Sequence, residues 1–135
     1  MNYLDLFEKS YLITRIEVFT KNRDKEIIKA QKLYFTDNGI LNRLADVSSG
    51  VQFENAVYNQ LKHLNYVRYF ALKTGKEIDF IINGDTAVEV KETATLSDLK
   101  QLQKLSSDID IRKNVLIGRY KTPNFSDYIW GGEIQ

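Results

Sequence analysis

At 135 residues, 43% hydrophobic and 27% charged, the chain has the size and composition of one globular domain that needs no disulfide or structural metal to fold. It contains no cysteine, which excludes thiolate zinc sites, thiol catalysis and a disulfide scaffold. Nineteen Lys and Arg against eighteen Asp and Glu leave a formal charge of +1, so any nucleic-acid site must be a local patch rather than a global polycation.

The first 26 residues carry charges every few positions and no apolar run like a signal peptide. No segment approaches the roughly 20 apolar residues of a membrane span. These features predict a soluble, cytoplasmic chain without a membrane partner.

Residues 1–10 are expected to form a short helix, with Leu4, Phe7 and Tyr11 toward one side. Tyr11–Phe19 reads as a strand, Thr20–Lys25 as a turn and Glu26–Phe35 as a returning strand. Six basic residues between Arg15 and Lys32 give this hairpin a mildly basic tip, most simply a solvated turn. Asp37 is placed to cap a short helix carrying Ile40, Leu41 and Leu44. Ser48-Ser49-Gly50 then marks the best boundary, between an arm over residues 1–48 and an α/β core over 49–135.

From Val51 to Leu64 the apolar residues Phe53, Val57, Leu61 and Leu64 have the spacing of one helical face. Val67–Leu72, Glu77–Ile82 and Thr86–Lys91 follow as strands. Thr95-Leu96-Ser97-Asp98 opens a second helix, with Leu99, Leu102 and Leu105 inward and Lys100 and Lys104 outward. Val115–Tyr120 is the last buried strand. The order helix, three strands, helix, strand predicts an α/β sandwich around a mixed sheet, preceded by a helix and hairpin arm.

The informative stretch is Glu77 to Lys91. With Asn83-Gly84-Asp85 as a three-residue loop, Ile82 pairs with Thr86, and counting back sets Asp79 opposite Glu89. One face then carries Glu77, Asp79, Ala87, Glu89 and Lys91, and the other Ile78, Phe80, Ile82, Val88 and Val90. A two-residue loop would split Asp79 from Glu89 and risk burying Glu89 unpaired. Two facing carboxylates repel, so a cation is expected between them. Lys91 is one candidate and a divalent metal the other. All-oxygen ligands favour Mg²⁺ or Mn²⁺ over zinc. Such an ion can polarise a phosphoryl oxygen and acidify a bound water, and a neighbouring lysine can stabilise transition-state charge.

Glu54, Asp79 and Glu89-Val90-Lys91 resemble the Glu…Asp…Glu-x-Lys signature of the PD-(D/E)xK, restriction-endonuclease-like superfamily, whose core order matches the one above. Further phrases are similar to an uncharacterised domain at the carboxyl end of prokaryotic AAA-type ATPases. They run from Tyr3 to Ile13, from Lys32 to Gly39, Phe53-Glu54-Asn55, Glu77-Ile78-Asp79-Phe80 and Val88-Glu89-Val90-Lys91. In that family the first phrase closes a winged-helix segment. The chain departs from it in having no GxxxxGK[ST] loop, so no ATPase activity is carried over, and Ile78 stands where the motif's proline would be.

The resemblance implies a Mg²⁺- or Mn²⁺-dependent nuclease. Asp79, Glu89 and Glu54 would be its metal ligands and, with Lys91, its catalytic set; the products would be a 5′-phosphate and a 3′-hydroxyl. Nucleic acid is the implied substrate, DNA ahead of RNA, with an ATPase or other protein as a further partner. The alternative is a catalytically silent nucleic-acid-binding or protein-interaction module. Glu77, Gln101 and Gln103 are weaker site candidates. His63, Asp37-Asn38-Gly39, Tyr66, Tyr69, Phe70 and Trp130 are better read as surface, turn or packing residues.

Overall fold

The computed structural model describes residues 3–20, 31–44 and 46–133. Helix α1 (Tyr3–Lys9) leads into β1 (Ile13–Ile16), which pairs antiparallel with β2 (Lys32–Phe35). The expected basic hairpin tip lies largely in residues 21–30, outside the described residues. Tyr11 does not share a buried side with Phe7: it follows the helix end at a φ of 61° and is exposed. Asp37 caps α2 (Asn38–Leu44), its carboxylate accepting the Gly39 N–H at 2.6 Å.

Helix α3 (Ser49–Leu61) begins at a Ser48 cap and ends before Leu64, which is exposed instead of joining the apolar face. Strands β3 (Val67–Ala71), β4 (Glu77–Ile82) and β5 (Thr86–Thr93) form an antiparallel meander. Helix α4 (Leu96–Asp108) carries the chain to β6 (Lys113–Tyr120), which runs parallel to β5. A capping box starts α4: Thr95 Oγ1 accepts the Asp98 N–H, and the Asp98 carboxylate accepts the Thr95 N–H. A two-residue strand β7 (Ile129–Trp130) adds to β6, and Trp130 donates its indole N–H to the Arg119 carbonyl. The result is a mixed α/β fold with a five-stranded sheet in the order β3-β4-β5-β6-β7 and a separate two-stranded sheet.

Both faces of the large sheet are covered. On the α3 side Val57 and Tyr58 pack with Phe80, Ile82, Val88, Val90 and Ile117. On the α4 side Leu102 packs with Phe70, Ile78, Ile81, Ala87 and Ile111. The arm is built into this body. Tyr34 of β2 stacks on Tyr58, with ring centroids 4.4 Å apart. Buried Asn55 of α3 accepts the Phe35 N–H at 2.8 Å and donates to the Phe35 carbonyl at 2.9 Å. On the far side, Glu17 and Phe19 bond the backbone of Tyr69 at the middle of β3.

The β4–β5 hairpin has the three-residue loop expected, with Ile82 paired to Thr86. Asn83 and Gly84 both adopt positive φ, the conformation these two residue types tolerate. The predicted alternation fails further along β4. Arg68 pairs with Ile81 and Phe70 with Ile78, so Asp79 and Phe80 together oppose Tyr69 as a β-bulge. The bulge reverses the parity of the first half of β4. Ile78 joins Ile81 and Ala87 on the α4 side, and Glu77 aligns with Ala71, whose side chain belongs to the α3-side core. Ile78, Phe80 and Ile82 therefore do not share a face, and Glu77 does not lie on the face of Ala87.

Candidate functional site

The β4–β5 ladder stops at Phe80↔Val88, where the bulge turns β4 away. Beyond that point the backbone bonds are replaced by side chains. Asp79 Oδ2 accepts the Val90 N–H at 2.8 Å, and Glu89 Oε2 accepts the Asp79 N–H at 3.4 Å. Asp79 and Glu89 thus meet, although not as a directly opposed ladder pair.

This gap opens into a cavity of about 750 Å³ between the sheet and helices α3 and α4. Its wall includes all four residues singled out in sequence, Glu54, Asp79, Glu89 and Lys91, together with Glu77. Gln101 also lines it, beside Asp98 of the α4 cap, whereas Gln103 is exposed elsewhere on the helix. His63 is exposed beyond the end of α3, Tyr69 and Phe70 are core residues, and Tyr66 is exposed.

Each side chain is held by its element. Asp79 is 4% exposed because the bulge folds it into the sheet. Glu89 alternates with core residues Val88 and Val90 and is mostly buried. Two residues on, Lys91 returns to the same side, its Nζ 3.6 Å from Glu89 Oε1. Glu54 comes from α3, whose first turn is pinned to the end of β5 by the Ser49 hydroxyl on Glu92 and by Arg119 on both Glu92 and the Ser49 carbonyl.

Two further residues reach these carboxylates from the arm. The Tyr34 hydroxyl donates to Glu54 Oε2 at 2.8 Å. Lys32 Nζ lies 3.8 Å from Glu54 Oε2 and 3.4 Å from Glu77 Oε1, above the Tyr69 ring. Neither was anticipated as a site residue. The one trace in sequence is that both fall inside the phrase Lys32-Leu33-Tyr34-Phe35.

The electrostatics follow from this crowding. Burial, then the nearby Glu89 and Glu54 charges, push the Asp79 carboxyl well above its ordinary range, against the opposing pull of the Val90 N–H and Lys32. Burial also raises Glu89, although Lys91 and the hydrogen bonds with Asp79 work the other way. The Tyr34 phenol is pushed far up by burial and by Glu54, which keeps it a proton donor. Carboxylates coupled this closely titrate as a pair.

With every group ionised, Glu54, Glu77, Asp79 and Glu89 against Lys32 and Lys91 leave two negative charges, and the cavity wall further carries Lys76, Lys104, Glu92, Asp98 and Asp108. The donor set is all oxygen, which suits Mg²⁺ or Mn²⁺. The carboxylates are not drawn into a tight cluster: among the described residues, no three Asp, Glu, His or Cys side chains stand close enough to hold one ion. Glu54 is engaged by Tyr34 and Lys32.

Among the described residues no helix is long and apolar enough to cross a membrane. Residues 49–130 match the family model described as a domain of unknown function, DUF4143, and residues 1–50 match another, DUF8612. No curated protein and no solved structure matches the chain.

Proposed function

The chain belongs to the DUF4143 family, a domain of unknown function, and from its own side chains we propose that it is a divalent-metal-dependent phosphodiesterase acting on nucleic acid, built on a restriction-endonuclease-like core. The observation that carries this reading is the buried Asp79–Glu89 pair at a β-bulge, with Lys91 beside it and an open cavity in front. Structural ion pairs balance their charges, whereas this set leaves two carboxylates forced together. The order helix, three strands, helix, strand around a mixed sheet supports the proposed core.

Asp79 and Glu89 would hold Mg²⁺ or Mn²⁺, with Glu54 completing or orienting the set from α3. A divalent ion bound there supplies Lewis acidity and a more acidic water. The remaining work falls to the chain. Asp79 and Glu89 would give up the proton that burial, and for Asp79 also the neighbouring carboxylates, make them retain. Lys91, 44% exposed and on the cavity wall, orients the attacking water or stabilises charge developing on the phosphoryl group. DNA is the first substrate to try, then RNA.

The test is cleavage of duplex DNA, single-stranded DNA and RNA in millimolar Mg²⁺ or Mn²⁺, with Asp79→Ala alongside. Metal-dependent cleavage lost in the variant is the expected result. Absence of cleavage with every substrate overturns the enzyme reading. The restraint of Glu54 by Tyr34 and Lys32 favours a second reading, a silent module that binds nucleic acid without turnover. Binding without cleavage would establish it.

A further inference from the structure

The arm brings a cation to the back of the candidate site. Lys32 sits at the start of β2, and its side chain is only 25% exposed. It contacts Glu54 and Glu77 while packing over Tyr69. Glu54, Glu77, Asp79, Glu89 and Lys91 all line the cavity; Lys32 reaches the carboxylates without being part of that wall. A cation in this position neither meets a substrate nor occupies the place of a metal ion. What it changes is the charge that the carboxylates present. Its field is strong because the surroundings are partly desolvated and the separations are under 4 Å.

We propose that Lys32 of the N-terminal arm sets how tightly the Asp79–Glu89 site holds a divalent cation, by neutralising Glu54 and Glu77 from behind. The inference rests on the metal-binding reading above. It makes the site composite: its carboxylates lie within residues 49–130, and its charge is tuned by a residue within the separately matched residues 1–50. Without Lys32 the ionised set would carry three negative charges rather than two, and a divalent ion would bind more tightly. Lys32 acts through Glu54 and Glu77 and is a positioning residue, not a catalytic one.

The experiment is calorimetric titration of the full chain with Mn²⁺, comparing wild type with Lys32→Gln, Lys32→Met and Lys32→Arg, and with Glu89→Gln as reference. Lys32→Met retains an apolar stem over Tyr69, so it guards against loss of packing in the glutamine variant. The expected result is about tenfold tighter binding in both neutral variants, on the order of one lost neighbouring charge in a partly buried site, and wild-type affinity in Lys32→Arg. Unchanged or weaker binding in the neutral variants, with only the melting temperature lowered, overturns the proposal and leaves Lys32 a structural ion pair. Wild-type binding that Glu89→Gln abolishes, alongside unchanged neutral variants, sinks this inference alone. No Mn²⁺ binding in any protein sinks the metal reading with it.

Discussion

Asp79 and Glu89 each fill, with a side chain, a place in the strand ladder that backbone would normally fill: the Asp79 carboxylate accepts from Val90, and the Glu89 carboxylate accepts from Asp79. The two acids are therefore held by the same bulge that crowds them. Neither can swing to solvent to relieve the repulsion without leaving a buried N–H unpaired.

That arrangement gives metal-free stability a definite pH dependence. Both carboxyls are raised in the folded chain, so the folded state retains protons that the unfolded state has already released. Their contribution is fully present below the ordinary carboxylate range and is lost as pH rises through the raised values. Melting temperature in chelator should fall as pH increases over that window. Glu89→Gln should flatten the slope, and a wild-type curve that rises instead would contradict the coupling.

Divalent ions should reverse this trend. Binding requires the ionised carboxylates, so Mn²⁺ should raise the melting temperature more at high pH than at low pH, by mass action. Asp79→Asn should remove the shift while leaving the metal-free fold about as stable as wild type. Thermal melts at several Mn²⁺ concentrations check both statements.

Lys91→Ala separates rate from binding. If the lysine acts on charge that develops in the transition state, cleavage should fall on the order of a hundredfold or more, with metal and nucleic-acid affinity nearly unchanged. A loss confined to salt-sensitive affinity would make Lys91 a phosphate contact. A drop in melting temperature alone would reduce it to the counter-ion of Glu89.

Asn55→Ala should be the costliest single change in the arm contact. Its side chain satisfies both the N–H and the carbonyl of Phe35 and also donates to Asn38. Its removal leaves the part-buried Phe35 N–H unpaired, while Asn59 still donates to the Phe35 carbonyl, at about 1–3 kcal/mol. Tyr34→Phe, which keeps the ring stack and removes one hydroxyl, should cost about 1 kcal/mol. Denaturant melts of the two variants would rank them, and equal losses would contradict the clasp role of Asn55.

Much of the core order was legible because its elements carry clean local patterns. The apolar spacing in α3, the cap at Thr95 and the Asn83-Gly84-Asp85 loop each point to one structure. The bulge was not legible, for a physical reason. With helices on both faces, Ile78, Phe80, Ile81 and Ile82 are all buried, so a one-residue slip leaves no mark in the hydrophobic pattern. Asp79 and Glu89 were found together by a count that the bulge interrupts at Asp79. Lys32 and Tyr34 were missed as site residues because nothing local marks contacts 20 to 45 positions away.

The contact between the arm and β3 also limits how this domain can recruit a partner. Tyr69 spends both of its outward-facing backbone groups on Glu17 and Phe19, so the β3 edge is interrupted at its centre. At the opposite edge, β7 is only two residues long. Among the described residues, an extended peptide finds no continuous row of free amides and carbonyls along β3, whereas β7 pairs with only Ile117 and Gly118 of β6. On the β3 side, a macromolecule that joins this chain must dock through side chains or displace the arm, rather than extend the sheet.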